Sequence, residues 1–399
     1  MKIQLVPNEL SAKIKVLGIG GAGGNAVNDM ITSQMVGVDF IAANTDAQSL
    51  ERSQAPVKIQ LGPNVTRGLG AGGDPEVGRN ATMEEGERLK QVLQGADMVF
   101  IAAGMGGGTG TGGAPVVAEL SRELGALTVA VVSKPFEFEG KAKRRLADTG
   151  IEELRRVVDT IITIPNDRLF SLSSKNSRIK DVFGMANEVL GFAVRGISDL
   201  IMVPGFINVD FADVRTVMKE RGMALMGTGI ANGGNRAADA AHKAISSPLL
   251  EDISIRGARG ILINITSSPD ITMEELKEIC SIVQDEAHED AIIKWGLVYD
   301  ESMSDEIRIT VIATGIGKRA EAERVGWSLP EQAVEEDLDI PTILRKEPPR
   351  MPDAARRTAD ADRPAPAMGA ANAKKYIVHP DLQYEENELD TPPFLRKAD

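Results

Sequence analysis

Cysteine is nearly absent. Cys280 stands alone in 399 residues, so no disulfide can close within the chain, which fits a reducing cytoplasm. Histidine is almost as scarce: His242, His288 and His379 are scattered and, with one cysteine, compose no metal motif. No protein-built metal site is therefore expected. No apolar run approaches the length of a membrane span, and residues 1–15 carry no apolar signal segment. Direct membrane insertion is not expected, so membrane association must come through a partner. Positive charge is in deficit, with 45 Lys and Arg against 58 Asp and Glu. A net charge of −13 makes a poor ligand for phosphate backbones and argues against nucleic acid as a partner. A Gly-x-x-x-x-Gly-Lys-Ser/Thr motif is missing too, which excludes a P-loop enzyme.

What is present is ordinary globular composition: 42% hydrophobic and 26% charged residues, enough for a sizeable core. The length suggests two domains plus something extra. Short apolar runs at 14–19, 39–43, 97–103, 127–133 and 160–164 read as strands, and helical patterns fall at 25–35, 76–93, 115–124 and 143–157. This alternation predicts a mostly parallel, Rossmann-like sheet covered on both faces, with ligands at the carboxyl ends of its strands. Next, Phe183, Ala186, Leu190, Val194, Ile197 and Ile201 recur at spacings of three and four. They predict a helix over 179–202, roughly 36 Å long, which stops before the breakers Pro204-Gly205. A second αβ region follows, with strands expected at 224–231, 260–266, 292–299 and 306–313 and helices at 236–246 and 273–286; Thr272 is its clearest N-cap, with Glu275 at the capping-box position.

Beyond Gly317 the apolar periodicity ends. Residues 347–373 are rich in Pro, Ala, Arg and Asp, so 318–388 reads as a disordered linker. Inside it, 338–346 (LDIPTILRK) matches 389–397 (LDTPPFLRK) at six of nine positions.

Two glycine loops carry the chemistry. The first, Gly18-Ile-Gly20-Gly21-Ala-Gly23-Gly24-Asn25, leaves a strand and enters a helix. Glycine lets backbone N–H groups approach an anion, and the helix N-terminus adds positive potential. Alone, it reads equally as a dinucleotide fingerprint, with Asp46 as the ribose acid of an NAD-dependent oxidoreductase, or as a tight turn. The second is more specific. Gly104-Met-Gly106-Gly107-Gly108-Thr109-Gly110-Thr111-Gly112 puts six glycines in nine residues between a buried strand and a helix. A bland turn has no need of that entropic cost, whereas successive amides and the two hydroxyls would surround a di- or triphosphate.

The stretch 106–112 resembles the signature of the tubulin superfamily in its bacterial form, the FtsZ family. Other matches follow in the family's order: Asn44-Thr-Asp46-Ala-Gln48, Gly68-Leu-Gly-Ala-Gly72-Gly73, Lys134-Pro-Phe-Glu-Phe-Glu139-Gly140, Ile164-Pro-Asn166-Asp-Arg168 and Asn208-Val-Asp210-Phe-Ala-Asp213-Val. The resemblance covers 14 to about 317 and returns at 389–399. It implies a tubulin-like α/β fold: a GTP-binding domain over 12–178, a central helix at 179–203, and a smaller αβ domain over 204–317 carrying an acidic loop at 206–213. The linker at 318–388 and a tail peptide at 389–399 complete it. It implies a GTPase that polymerises head-to-tail into the filaments of the bacterial division ring, at mid-cell beneath the inner membrane. The tail would bind membrane-tethering adaptors and assembly regulators.

Residue by residue, the resemblance implies that Gly20, Gly21, Gly23, Gly24 and Asn25 line the nucleotide, with Asn44, Asp46 and Pro135 nearby. Ala71, Gly72 and Gly73 would lie near the terminal phosphate. Gly104, Gly106, Gly107, Gly108, Thr109, Gly110, Thr111 and Gly112 would hold the phosphates. Glu139 would bind ribose, Asn166 and Asn187 would address guanine, and Phe183 would stack on it. GTP and GDP are the implied nucleotides, with Mg²⁺ bound through the phosphates. At helical core spacing Phe183 reads equally as core, and Asn166 as an N-cap.

The acids have a physical argument of their own. If the start of the long helix touches the base, the loop beyond its end sits roughly 30 Å away or more. Asp210 could simply cap a helix over 211–221, with Asp213 supplementing its dipole. The resemblance implies instead that Asn208, Asp210 and Asp213 enter a neighbour's pocket and orient water on the γ-phosphate, so that the contact propagates into an open filament. Three positions depart from the family. Lys143 stands where arginine is common, and the two cations are not equivalent on phosphate or ribose oxygens, with Arg144 as the alternative. Asp29 occupies a position that is basic in some relatives, and Glu188 one that is more usually Asp.

Overall fold

The computed structural model describes residues 12–172, 178–203, 205–219, 222–247, 255 and 257–316. The expected linker, the tail peptide and both copies of the near-repeat lie outside the described residues.

β1 (Ile14–Ile19) runs straight into α1 (Gly20–Thr32), followed by β2 (Val38–Asn44), a short α2 (Ala47–Glu51), β3 (Val57–Gln60), α3 (Pro63–Thr66), α4 (Pro75–Glu84) and α5 (Gly86–Leu93). β4 (Met98–Gly104) feeds α6 (Thr109–Glu123), β5 (Leu127–Lys134) precedes α7 (Lys141–Val157), and β6 (Thr160–Pro165) enters α8 (Asn166–Leu172). The long helix is α9 (Ile179–Met202). After it come α10 (Phe211–Met218), β7 (Gly222–Asn232), α11 (Arg236–Ile245), β8 (Gly260–Ser267), α12 (Met273–Glu286), β9 (Ile292–Tyr299) and β10 (Glu306–Ile316).

The strands pair in the order β3-β2-β1-β4-β5-β6-β7-β10-β8-β9. Every pairing from β3 to β7 is parallel, as crossover helices require. β10 runs antiparallel to both β7 and β8, and β9 pairs parallel to β8 at the edge. The order reverses at β1, which lies between β2 and β4. A crevice therefore opens beyond the carboxyl ends of β1 and β4, where open α/β sheets take ligands.

Both faces of the parallel half are covered. On one, Ala26, Val27 and Met30 of α1 share a core with Leu190, Val194 and Ile197 of α9; on the other, Leu89, Val117 and Leu154 close over Ile101 and Val132. A third core joins β7, β8 and β10 to α11 and α12. The period-3.6 stripe of α9 is buried at Ala186, Leu190, Val194 and Ile197.

Three helices differ from their sequence patterns. α1 begins at Gly20 and not at residue 25, and α6 begins at Thr109 with Pro115 inside it. Glycine's low helix propensity hides these first turns from a propensity reading; packing against neighbouring backbone overrides it. The single helical pattern over 76–93 is two helices, divided at Glu85 just before Gly86.

Candidate functional site

The carboxyl ends of β1, β4, β5 and β6 surround a pocket of ≈ 250 Å³, roofed by the start of α9. Gly20 and Gly21 enter from the first turn of α1, and Gly107, Gly108, Thr109 and Gly110 from the second glycine loop; Gly104 ends β4, Pro135 follows β5, and Asn166 follows β6. Glu139, Lys143, Phe183 and Asn187 complete the expected residues in this wall. Ala22 and Met105, inside the two glycine loops but not expected in the site, also line it, as do Ala186 of the α9 stripe and Ser133, which belongs to no motif. Ser133 had one usable signal, its position at the carboxyl end of a buried parallel strand.

A hypothetical Cβ separates the glycines by role. At Gly21 and Gly107 it would meet nothing within 4 Å, so these residues bare their backbone to the pocket. Gly20 needs its φ of +73° to turn strand into helix. Gly23 and Gly112 are packing residues: a Cβ would fall 2.2 Å from the Ala102 carbonyl oxygen and 1.9 Å from that of Pro75. At Gly108 it would meet Ala71 Cβ and Asp74 backbone at 2.8 Å, so the turn that holds Ala71, Gly72 and Gly73 packs against the second glycine loop, and none of these three lines the pocket. Gly106, at φ +97°, lies against Lys143, and its N–H donates to the buried Thr111 hydroxyl at 2.8 Å. Thr111 thus braces the loop from behind, whereas Thr109 lines the pocket, its hydroxyl 2.6 Å from that of Thr45.

At the other end of the pocket, Asn166 is buried and its Oδ1 has no hydrogen-bond partner. Such an orphaned acceptor costs stability unless a ligand donor meets it. Phe183 is 41% exposed and not core. Its ring meets Phe136 edge-on, with centroids 5.1 Å apart. Glu139 accepts the Phe136 N–H at 2.9 Å and pairs with Lys143. The cation in the wall is Lys143; Arg144 is not among the lining residues.

A second recess of ≈ 260 Å³ shares Gly20 and Gly21 and is walled by Gly24, Asn25 and Asn44, with Asn28, Arg52 and Ser53. Asp46 lies outside both cavities. It caps α2, accepting from the Ser49 hydroxyl at 2.8 Å and from Gln48 N at 2.9 Å, and the Ser49 bond above all holds its carboxyl below the usual range.

The acidic loop sits elsewhere. Arg215 on α10 reaches the Gly125 carbonyl just before β5, and Thr160, the first residue of β6, donates to the Met218 carbonyl. α10 therefore abuts the amino ends of the strands whose carboxyl ends line the pocket. β5 alone has eight residues, or ~23 Å, between those ends. Asp210 caps α10, accepting from Asp213 N at 2.7 Å. Asp213 pairs with Lys294 at 2.8 Å, and the Asn208 side chain accepts from Gly205 N at 2.8 Å. One chain therefore cannot bring these acids to its own pocket.

Residues 13–174 match the model of the Tubulin/FtsZ family, GTPase domain, and 222–317 that of the FtsZ family, C-terminal domain. Cell division protein FtsZ of Pseudomonas aeruginosa is 49% identical over 392 residues, covering 97% of each chain. That of Coxiella burnetii is 48% identical over 399 residues, covering 98% of this chain and 97% of the relative. Among solved structures, an FtsZ dimer from M. jannaschii superposes with a TM-score of 0.75 at 45% identity, over 78% of this chain and 90% of that one. A GTPγS-bound protofilament of CetZ2 from Haloferax volcanii, at 22% identity and TM-score 0.65 over 78% and 97%, shares the fold.

Proposed function

This chain belongs to the FtsZ family of tubulin-like GTPases, and from that membership we propose how its residues divide the work of GTP hydrolysis between two subunits. The protein is a GTP-binding, GTP-hydrolysing cytoskeletal protein of cell division that polymerises. The observation that carries the proposal is the separation of pocket and acids: they occupy opposite ends of one sheet.

In this reading the phosphates lie on the amides of Gly20, Gly21 and 107–110, where the N-termini of α1 and α6 add positive potential. Asn166 and Asn187 face guanine, and the orphaned Asn166 Oδ1 is an acceptor suited to the base's N1–H and N2–H donors. Phe183 presents its ring to the base, and Glu139, steadied by Lys143, faces ribose. Mg²⁺ would be held on the phosphates and would neutralise their charge when bound. Asn208, Asp210 and Asp213 of the next subunit orient water on the γ-phosphate. A head-to-tail contact of this kind is heterologous and propagates into a filament. Assembly at mid-cell beneath the membrane and docking of adaptors on 389–399 belong to the same proposal. Among the described residues no helix is long and apolar enough to cross a membrane.

The test is Asp213→Ala. Isolated monomers should bind GTP like the parent, while assembled protein hydrolyses it slower by roughly 100-fold. Loss of monomer affinity would place Asp213 in its own subunit's pocket and overturn the reading.

A further inference from the structure

The acidic loop is held from two directions by a single strand. β9 forms the far edge of the sheet. At Leu297 it grips the loop through backbone: its carbonyl accepts from Phe206 N at 2.9 Å and its N–H donates to the Ile207 carbonyl at 2.9 Å. Three residues earlier, ~10 Å along the strand, the Lys294 ammonium lies 2.8 Å from Asp213 Oδ1. The Asp210 side chain, meanwhile, is spent on the Asp213 N–H. Asp213 therefore has its backbone set by Asp210 and one carboxylate oxygen set by Lys294, and its other oxygen is bonded to neither.

Stability does not explain this pairing. Lys294 and Asp213 are 36% and 38% exposed at their side chains, and exposed ion pairs contribute little to folding. Lysine on an edge strand also deters unwanted strand pairing, but that role needs no acidic partner. Hydrolysis does need one. Two carboxylates brought to a neighbour's triphosphate meet like charge, and an adjacent ammonium offsets part of that repulsion. A carboxylate that orients water must also be held in one rotamer before the substrate arrives.

We propose that Lys294 is a positioning residue for GTP hydrolysis, fixing Asp213 and screening its charge where it meets the neighbouring subunit's γ-phosphate. The proposal rests on the shared-site reading, and one set of variants separates the two. Full-length Lys294→Met, Lys294→Arg, Asp213→Asn and the double variant Lys294→Met with Asp213→Asn are compared by GTP turnover per polymerised subunit. GTP binding is measured alongside on dilute monomer. Lys294→Met should turn over roughly tenfold slower with monomer affinity unchanged. Lys294→Arg should recover most of the rate, and the double variant should be no slower than Asp213→Asn alone, because Lys294 acts through Asp213. Parent-like turnover by Lys294→Met beside a slow Asp213→Asn overturns the positioning role and leaves the shared site standing. So does a double variant slower than Asp213→Asn by the full factor that Lys294→Met loses alone. Parent-like turnover by Asp213→Asn overturns the shared site itself, and the role of Lys294 with it.

Discussion

Gly107 and Gly112 sit in one loop-to-helix junction and do opposite things. Gly107 faces open space, so Gly107→Val should fold like the parent and lose GTP affinity by on the order of 100-fold. Equilibrium binding of a fluorescent nucleotide beside a thermal melt checks this; parent-like affinity would remove Gly107 from the phosphate cradle. Asp199 makes a different prediction. Burial in α9 raises its carboxyl to about 6, against the pull of Arg195 and Arg308. With a native pKa above the unfolded value, the folded state holds the extra proton between pH 3.8 and 6, so stability falls as pH rises through that window. Asp199→Asn should therefore gain on the parent between pH 4 and pH 7, by on the order of 2 kcal/mol. Urea midpoints at the two pH values test it, and a difference independent of pH contradicts it.

Among the elements, α4 and α6 approach so closely that Gly112 has no room for a methyl group. Gly112→Ala should cost ~2–3 kcal/mol by urea denaturation, because the obstructing atom is backbone and cannot swing aside. A loss under ~0.5 kcal/mol would mean the helices can part. The same packing explains what a sequence reading could find. β1, β4, β5 and α9 announce themselves by apolar period, and α9 ends at Met202 as Pro204-Gly205 demands. The first turns of α1 and α6 do not, because glycine reads as loop until a neighbouring backbone holds it in a helix. The site was legible in the same measure. Both glycine loops, Glu139, Asn166 and Asn187 could be named from motifs, and all contribute to the pocket wall. Ser133 carries no local signature; the sheet order alone delivers it. Sequence also cannot separate a glycine bared to ligand from one crushed against a carbonyl, as Gly21 and Gly23 show.

For the whole molecule, the decisive feature is distance. Under the proposed shared site, a chain whose pocket and acids lie at opposite ends of its sheet hydrolyses nothing alone, so Asp213→Asn mixed with parent should poison filaments: every junction that receives the altered acid stalls. The central claim is tested most directly by GTP turnover per subunit, measured across protein concentration in GTP and Mg²⁺ with light scattering alongside. The account predicts negligible turnover below a threshold and a steep rise above it, coincident with the onset of scattering. A turnover per subunit that stays constant from dilute to concentrated protein would contradict it.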